Sequence, residues 1–238
     1  MALCLLNRDV GPVPDIYDHR YFYIDANGGH CVSGLARNAM ARFLREYNSG
    51  MFLEQHWFTS LMDTKNPSMQ GFIVEQLILS TISLNGFNGY KPSKTISYPG
   101  KCPTIEWECQ EALYLPRSFN FRAIDAVFIK LENSKDKKVA IVAPIQVTIA
   151  KNHPDSEEKF FRELWSEWVG ILSDYETEFE FVWIKDIKCR SEEKVDQVMR
   201  SMRSGEKMVK LSFQRICIPI EEFKSGNITC HLDTARGR

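Results

Sequence analysis

Phe121-Arg-Ala-Ile-Asp125-Ala-Val-Phe-Ile-Lys-Leu131 and Val139-Ala-Ile-Val-Ala-Pro-Ile-Gln146-Val-Thr148-Ile149, with the polar Glu132-Asn-Ser-Lys-Asp-Lys-Lys138 between them, decide how the chain is read. Both runs are rich in Val, Ile and Phe, which suit a pleated, half-buried surface, and the segment between them breaks the pattern with charge and turn formers. The pattern predicts two paired strands of a buried sheet. Side chains alternate along a strand, so Gln146 and Thr148 share one face while Ile145, Val147 and Ile149 take the other. Asp125 stands near the start of one strand and Gln146 near the end of the next. A carboxylate and an amide oxygen are thus offered side by side at one end of a hydrophobic sheet, as divalent-metal sites often are.

The chain has 238 residues, 44% of them apolar, enough for one large domain or a domain with a helical extension. Composition predicts a soluble globular protein. The apolar runs are interrupted well short of the roughly 20 residues that cross a bilayer, and Met1-Ala-Leu-Cys-Leu-Leu6 is too short for the core of a secretion signal. Seven cysteines, an odd number with no Cys-x-x-Cys pair, argue against a disulfide framework or a four-cysteine zinc site. His30-Cys31 and His56 have no partner at metal-ligand spacing. The net charge of -1 does not mark a nucleic-acid binder, although Lys185 to Arg215 carries nine Lys or Arg against five Asp or Glu. That excess reads as a solvated surface or as a phosphate-facing patch.

Taken in order, Tyr17 to Asp25 is an aromatic strand closed by Asn27-Gly28-Gly29, and helices are expected at Gly34 to Tyr47 and Phe52 to Met62. Asn66-Pro67 starts a further helix, which Asn85-Gly86 ends. On it Glu75 projects from an apolar stripe of Phe72, Ile78, Leu79 and Ile82, and Ile73, Leu77 and Leu84 make the opposite side apolar too. Strands follow at Thr95 to Tyr98 and Glu111 to Leu115, ahead of the central pair. A helix then runs from Glu157 to Tyr175 with Phe161, Leu164, Trp165, Trp168, Ile171 and Leu172 as its buried stripe. Phe179 to Ile184 predicts a strand, Glu192 to Met202 a basic amphipathic helix, and Met208 to Ile218 a last strand. This divides the chain into an N-terminal strand and helical extension over 1–64, an α/β core over 65–222 and a polar tail over 223–238.

Helix, three strands, helix, strand, with an acid on the first helix, Asp125 on the second strand and Gln146 on the third, resembles the PD-(D/E)XK, or restriction-endonuclease-like, nuclease core. Tyr17-Asp-His-Arg-Tyr-Phe-Tyr23, Asn66-Pro-Ser68 with Gly71-Phe-Ile-Val-Glu75, Leu115-Pro116 with Ile124-Asp125, and Gln146-Val-Thr-Ile149 with His153-Pro154 carry a closer likeness. They are similar to the nuclease-type domain of Crinkler effectors and of retrotransposon hot spot proteins, over about residues 17 to 220. The resemblance implies a nuclease acting on DNA through Mg²⁺ or Mn²⁺, with Glu75, Asp125 and Gln146 as metal ligands and Thr148 positioning water. It also implies delivery into a host cell and its nucleus, and an NTPase domain upstream. This chain has no G-x-x-x-x-G-K-[ST] motif; Pro99-Gly-Lys-Cys102 is only a fragment of it.

The second departure is chemical. Thr148 stands where the wider superfamily has lysine, and a hydroxyl can orient a water or a phosphate oxygen but supplies no positive charge. Lys151, Lys159 and Arg162 are candidate replacements, and His153 is another, as a general base or a phosphate donor. Arg117 and Arg122 flank the Asp125 strand and could meet backbone phosphate. Each of the three metal candidates also has a plain alternative: Glu75 paired with a buried arginine, Asp125 capping a turn, Gln146 satisfying a strand end. The rival class is a module of the same fold that has no catalysis and binds host protein or nucleic acid.

Overall fold

The structure, a computed structural model, describes residues 22–25, 28–31, 67–99, 102–117, 123–134, 137–149, 155–200 and 208–223. Its residues group into two units, Met1–Ser80 with Lys224–Arg238, and Thr81–Phe223. In the first, strands β1 (Phe22–Asp25) and β2 (Gly28–Cys31) form an antiparallel hairpin closed at Asp25 opposite Gly28, where the Asn-Gly signal predicts a turn. The helices expected at 34–47 and 52–62 and the tail from 224 lie outside the described residues.

Helix α1 (Pro67–Asn85) runs between the two boundaries that its sequence marks. It is buried on most sides, with Val74, Leu77, Ile78, Leu79 and Ile82 almost inaccessible and Gln76 and Ser80 buried among its polar residues. Leu84, on the side that the sequence makes apolar, is exposed. Gly86 ends the helix with φ +79° and its N–H bonded to the Ile82 carbonyl, the left-handed stop that glycine adopts without a Cβ penalty.

The second unit is built on a seven-stranded mixed sheet: β3 (Lys94–Tyr98), β4 (Glu111–Pro116), β5 (Ala126–Asn133), β6 (Lys138–Thr148), β7 (Glu176–Lys185), β8 (Ser191–Arg200) and β9 (Met208–Pro219). Their spatial order is β3-β4-β5-β6-β7-β9-β8. Strands β4, β5 and β6 form an antiparallel meander, whereas β7 lies parallel to β6 and β9 parallel to β7. Parallel neighbours require a crossover, and helices α2 (Asp155–Glu163) and α3 (Trp165–Ile171) supply it between β6 and β7. The molecule is therefore α/β, with the expected order of elements through β7. The sequence predicts one long helix over 157–175; the helix is interrupted at Leu164 (φ -116°, ψ -41°), and the second helix stops at Ile171.

The basic helix predicted over 192–202 is a strand instead. Glu, Lys, Gln and Met favour helix locally, yet β8 pairs with β9 in an unbroken antiparallel register from Ser191 opposite Cys217 to Arg200 opposite Met208. The ladder satisfies the backbone groups that the two strands turn toward each other, and Val195, buried opposite Phe213, gives the hairpin an apolar anchor. Glu192, Glu193, Lys194 and Asp196 are exposed, as suits a strand at the sheet's edge.

Each face of the sheet has its own cover. Phe160 and Phe161 of α2 pack against Phe179 and Phe181 of β7, and Phe161 meets Phe213 of β9 at 4.4 Å between centroids. On the other face Phe87 and Tyr90 sit against Phe128 of β5 at 5.7 and 4.9 Å. The Tyr90 hydroxyl donates to Glu180 at 2.8 Å. Burial raises the Glu180 pKa, an effect the Tyr90 hydrogen bond partly offsets.

Two predictions follow from this packing. A Cβ at Gly86 would lie 2.1 Å from the Tyr90 carbonyl oxygen, whereas Gly89, also at positive φ, has open space around it. Gly86→Ala should cost about 2 kcal/mol or more in urea denaturation, and Gly89→Ala about 1 kcal/mol. Equal losses would contradict the close approach at Gly86. Because folded Glu180 holds its proton to higher pH than the unfolded chain, its contribution to stability is present at low pH and is lost as pH rises from 4.5 through the folded value. Glu180→Gln keeps an acceptor for Tyr90, so its melting temperature relative to wild type should climb over that window; a pH-independent difference would refute the assignment.

Candidate functional site

Asp125 lies one residue before β5, where its N–H donates to the Ile145 carbonyl at 2.8 Å and so extends the β5–β6 ladder. Its carboxylate reaches across to β6. Oδ2 accepts from the Gln146 Nε2 at 2.7 Å and from the Val147 backbone N–H at 2.7 Å, and the same Nε2 also reaches the Val147 carbonyl at 3.2 Å. The two residues that the sequence singles out, 21 positions apart, are thus side by side at the end of the central strand pair. Thr148 is the last residue of β6 and is buried.

Strand register identifies the rest of this surface. Gln146 is opposite Trp183 and Thr148 is opposite Lys185 across the parallel β6–β7 pair. Partners across a ladder share a face, so Trp183 and Lys185 lie on the side that carries Asp125, Gln146 and Thr148. It is also the side covered by α2. The Trp183 indole N–H donates to Glu157 of α2 at 3.3 Å, and Lys185 Nζ lies 5.9 Å from the Trp183 ring centroid.

Glu157 is the buried charge of this region. Arg215 of β9 grips it with two hydrogen bonds, Nε to Oε2 at 2.7 Å and Nη2 to Oε1 at 2.6 Å, and its third nitrogen donates to Glu193 at 2.9 Å. These carboxylates raise the Arg215 pKa further above its already high ordinary value, the hydrogen bonding to Glu157 contributing most. The fork fixes the start of α2 against β7 and β9, and it accounts for one of the arginines in the basic stretch as a structural residue.

The other sequence candidates divide as follows. Glu75 is half-buried on α1, in the first unit, and accepts from the neighbouring Gln76 amide at 3.0 Å. Arg117 is exposed just beyond β4, with its N–H bonded to the Tyr98 carbonyl. Arg162 is paired along its own helix with Glu158 at 3.4 Å and Glu163 at 3.0 Å. Lys159 is exposed on α2. Arg122, Lys151 and His153 lie outside the described residues. Among the described residues, no three His, Cys, Asp or Glu side chains gather as a metal cluster, and the pair at the strand ends is one carboxylate and one amide.

Glu157, Trp183, Lys185 and Arg215 were not singled out as site residues in the sequence. Parity along 179–185 puts Trp183 and Lys185 on one face, but only the β6–β7 register shows which residues of β6 they adjoin. Comparisons with protein-family models, with curated proteins and with solved structures found no match.

Arg215→Met should destabilise the protein by roughly 2 to 4 kcal/mol, since it leaves Glu157 buried without its cation; Arg215 is 28% exposed, which trims the full buried-pair value. Adding Glu157→Gln should recover part of the loss in a chemical-denaturation cycle. Purely additive losses would remove the fork as the tie between α2 and the sheet.

Proposed function

We propose that the chain is a metal-dependent phosphodiesterase of PD-(D/E)XK type that acts on DNA. The observation that carries this reading is the junction of Asp125 with Gln146 at the end of β6, with Thr148 two residues further on the same face. The resemblance of the flanking motifs to Crinkler-type nuclease domains supports it, and with it the wider proposal of an effector delivered to a host nucleus.

The donor set fits Mg²⁺ or Mn²⁺. A carboxylate and an amide carbonyl are hard oxygen ligands, and the Nε2–Oδ2 bond of 2.7 Å holds their side chains adjacent. A cation between them would reward turning the amide so that its oxygen replaces the nitrogen beside Asp125. Asp125 and Gln146 would hold the metal. When bound, such an ion lowers the pKa of water and neutralises charge gathering on a phosphate. The Val147 N–H holds Asp125 in place before any ligand arrives, and the Thr148 hydroxyl orients a water or a phosphate oxygen. Hydrolysis then joins the water oxygen to phosphorus, breaks the bond to one sugar oxygen, and leaves that oxygen protonated.

A second reading has its own observation. The Asp125 carboxylate already accepts from the Val147 backbone and the Gln146 amide, as a clamp between β5 and β6 would, and Thr148 brings no charge. In that case the same fold binds host protein or nucleic acid without cutting it.

Purified protein should nick or degrade DNA with Mg²⁺ or Mn²⁺ and stop when a chelator is added. Asp125→Asn keeps an acceptor for the Val147 N–H and removes the charge, so cleavage should fall about 100-fold or more while stability changes by less than about 1 kcal/mol. Wild-type protein that leaves DNA and RNA intact with either metal would sink the enzyme and favour the binding module.

A further inference from the structure

We propose, resting on the phosphodiesterase reading, that Lys185 is the cation of this site: its ammonium contacts a phosphate oxygen of the substrate beside Thr148. The sheet itself makes the argument. Thr148 and Lys185 are register partners on adjacent parallel strands, and so are Gln146 and Trp183. Four side chains from two strands therefore share one face at one end of the sheet, and Asp125 joins them through its bond to Gln146. Neighbouring strands are roughly 4.8 Å apart, a gap that a lysine side chain can span.

The Lys185 ammonium also has an aromatic neighbour. Nζ lies 5.9 Å from the ring centroid of Trp183, the residue opposite Gln146. Trp183 is buried, and its indole N–H is fixed by Glu157, which Arg215 holds in turn. The ring is a buried, hydrogen-bonded seat. Among the described residues Lys185 has no carboxylate within ion-pairing distance, whereas Arg162 is engaged by Glu158 and Glu163. A ring face attracts the ammonium without neutralising it, which leaves its charge for an anion.

This assignment also explains how Thr148 can serve. The hydroxyl and the ammonium come from register partners, so the polar contact and the positive charge sit on two strands and need not share one side chain. Lys185 makes and breaks no bond; it holds the phosphate and offsets the negative charge that grows as water adds to phosphorus.

The test uses five forms of the full chain: wild type, Asp125→Asn, Lys185→Ala, Lys185→Arg, and Lys185→Ala combined with Thr148→Lys. Cleavage of a labelled DNA duplex and of a single strand is followed with Mg²⁺ and with Mn²⁺, and thermal unfolding is recorded for each form. Lys185→Ala should lower kcat about 100-fold with an unchanged melting temperature, and Lys185→Arg should keep part of the activity. The double variant moves the ammonium to the register partner and should cut better than Lys185→Ala, a rescue that a packing role would not produce. Wild-type cleavage with Lys185→Ala equally active and Asp125→Asn dead would overturn the role of Lys185 and leave the phosphodiesterase standing. A double variant no better than Lys185→Ala would overturn it as well. Wild-type protein that cuts neither DNA form would overturn both.

Discussion

The parallel pairing of β6 with β7 is the constraint from which the rest of the second unit follows. Two antiparallel strands can be joined by a tight turn, but parallel neighbours cannot, so the chain must leave the end of β6, cross one face and return. Helices α2 and α3 are that return path, and they place Phe160 and Phe161 on Phe179 and Phe181. The path begins where β6 ends, at Thr148. The end of β6 therefore lies beside the start of the crossover, and the polar side chains on that end collect where α2 enters, with Glu157 in its first turn.

A polar cluster beside an aromatic core needs its hydrogen bonds closed. Glu157 meets that demand through Arg215 and the Trp183 indole, and Asp125 meets it through Val147 and Gln146. The two acids differ in kind. Glu157 faces a guanidinium fork that takes both of its oxygens, an arrangement that fixes structure and leaves little to offer a ligand. Asp125 takes an amide N–H and a backbone N–H on one oxygen, donors that both come from β6 and tie it to the end of β5.

Much of this was legible in the sequence, and what was missed has definite causes. The β5–β6 hairpin could be read because Val, Ile and Phe runs flank a polar turn, and its register brings Asp125 to Gln146 as parity and length suggest. Helix α1 could be bounded by Pro67 and Gly86 because both act through backbone geometry, which is local. Strand β8 could not be read this way: Ser191-Glu-Glu-Lys-Val-Asp-Gln-Val-Met-Arg200 has helical preferences of a few tenths of a kcal/mol per residue, which a ten-residue ladder with β9 outweighs. The break at Leu164 was hidden for a related reason, since Phe161, Leu164, Trp165 and Trp168 keep an apolar stripe on both sides of it. Trp183 and Lys185 were legible as strand residues but not as neighbours of Gln146 and Thr148. Pairing between strands 37 positions apart is a property of the whole sheet.

That distinction bears on how a missing lysine should be interpreted. A motif treats a site as a string along one strand, so Thr148 reads as a loss of charge. A sheet presents the same few ångströms of surface from two directions, along β6 and across to β7. What a phosphate would meet is the local arrangement of hydroxyl, ammonium and carboxylate, and its energy depends on their separation and exposure to water rather than on which strand carries each. Thr148 is buried and Lys185 half-buried beside Trp183, so the hydroxyl and the ammonium come to one face from paired positions on two strands. A lysine at both 148 and 185 would set two like charges directly opposite each other, a repulsion that the present arrangement avoids.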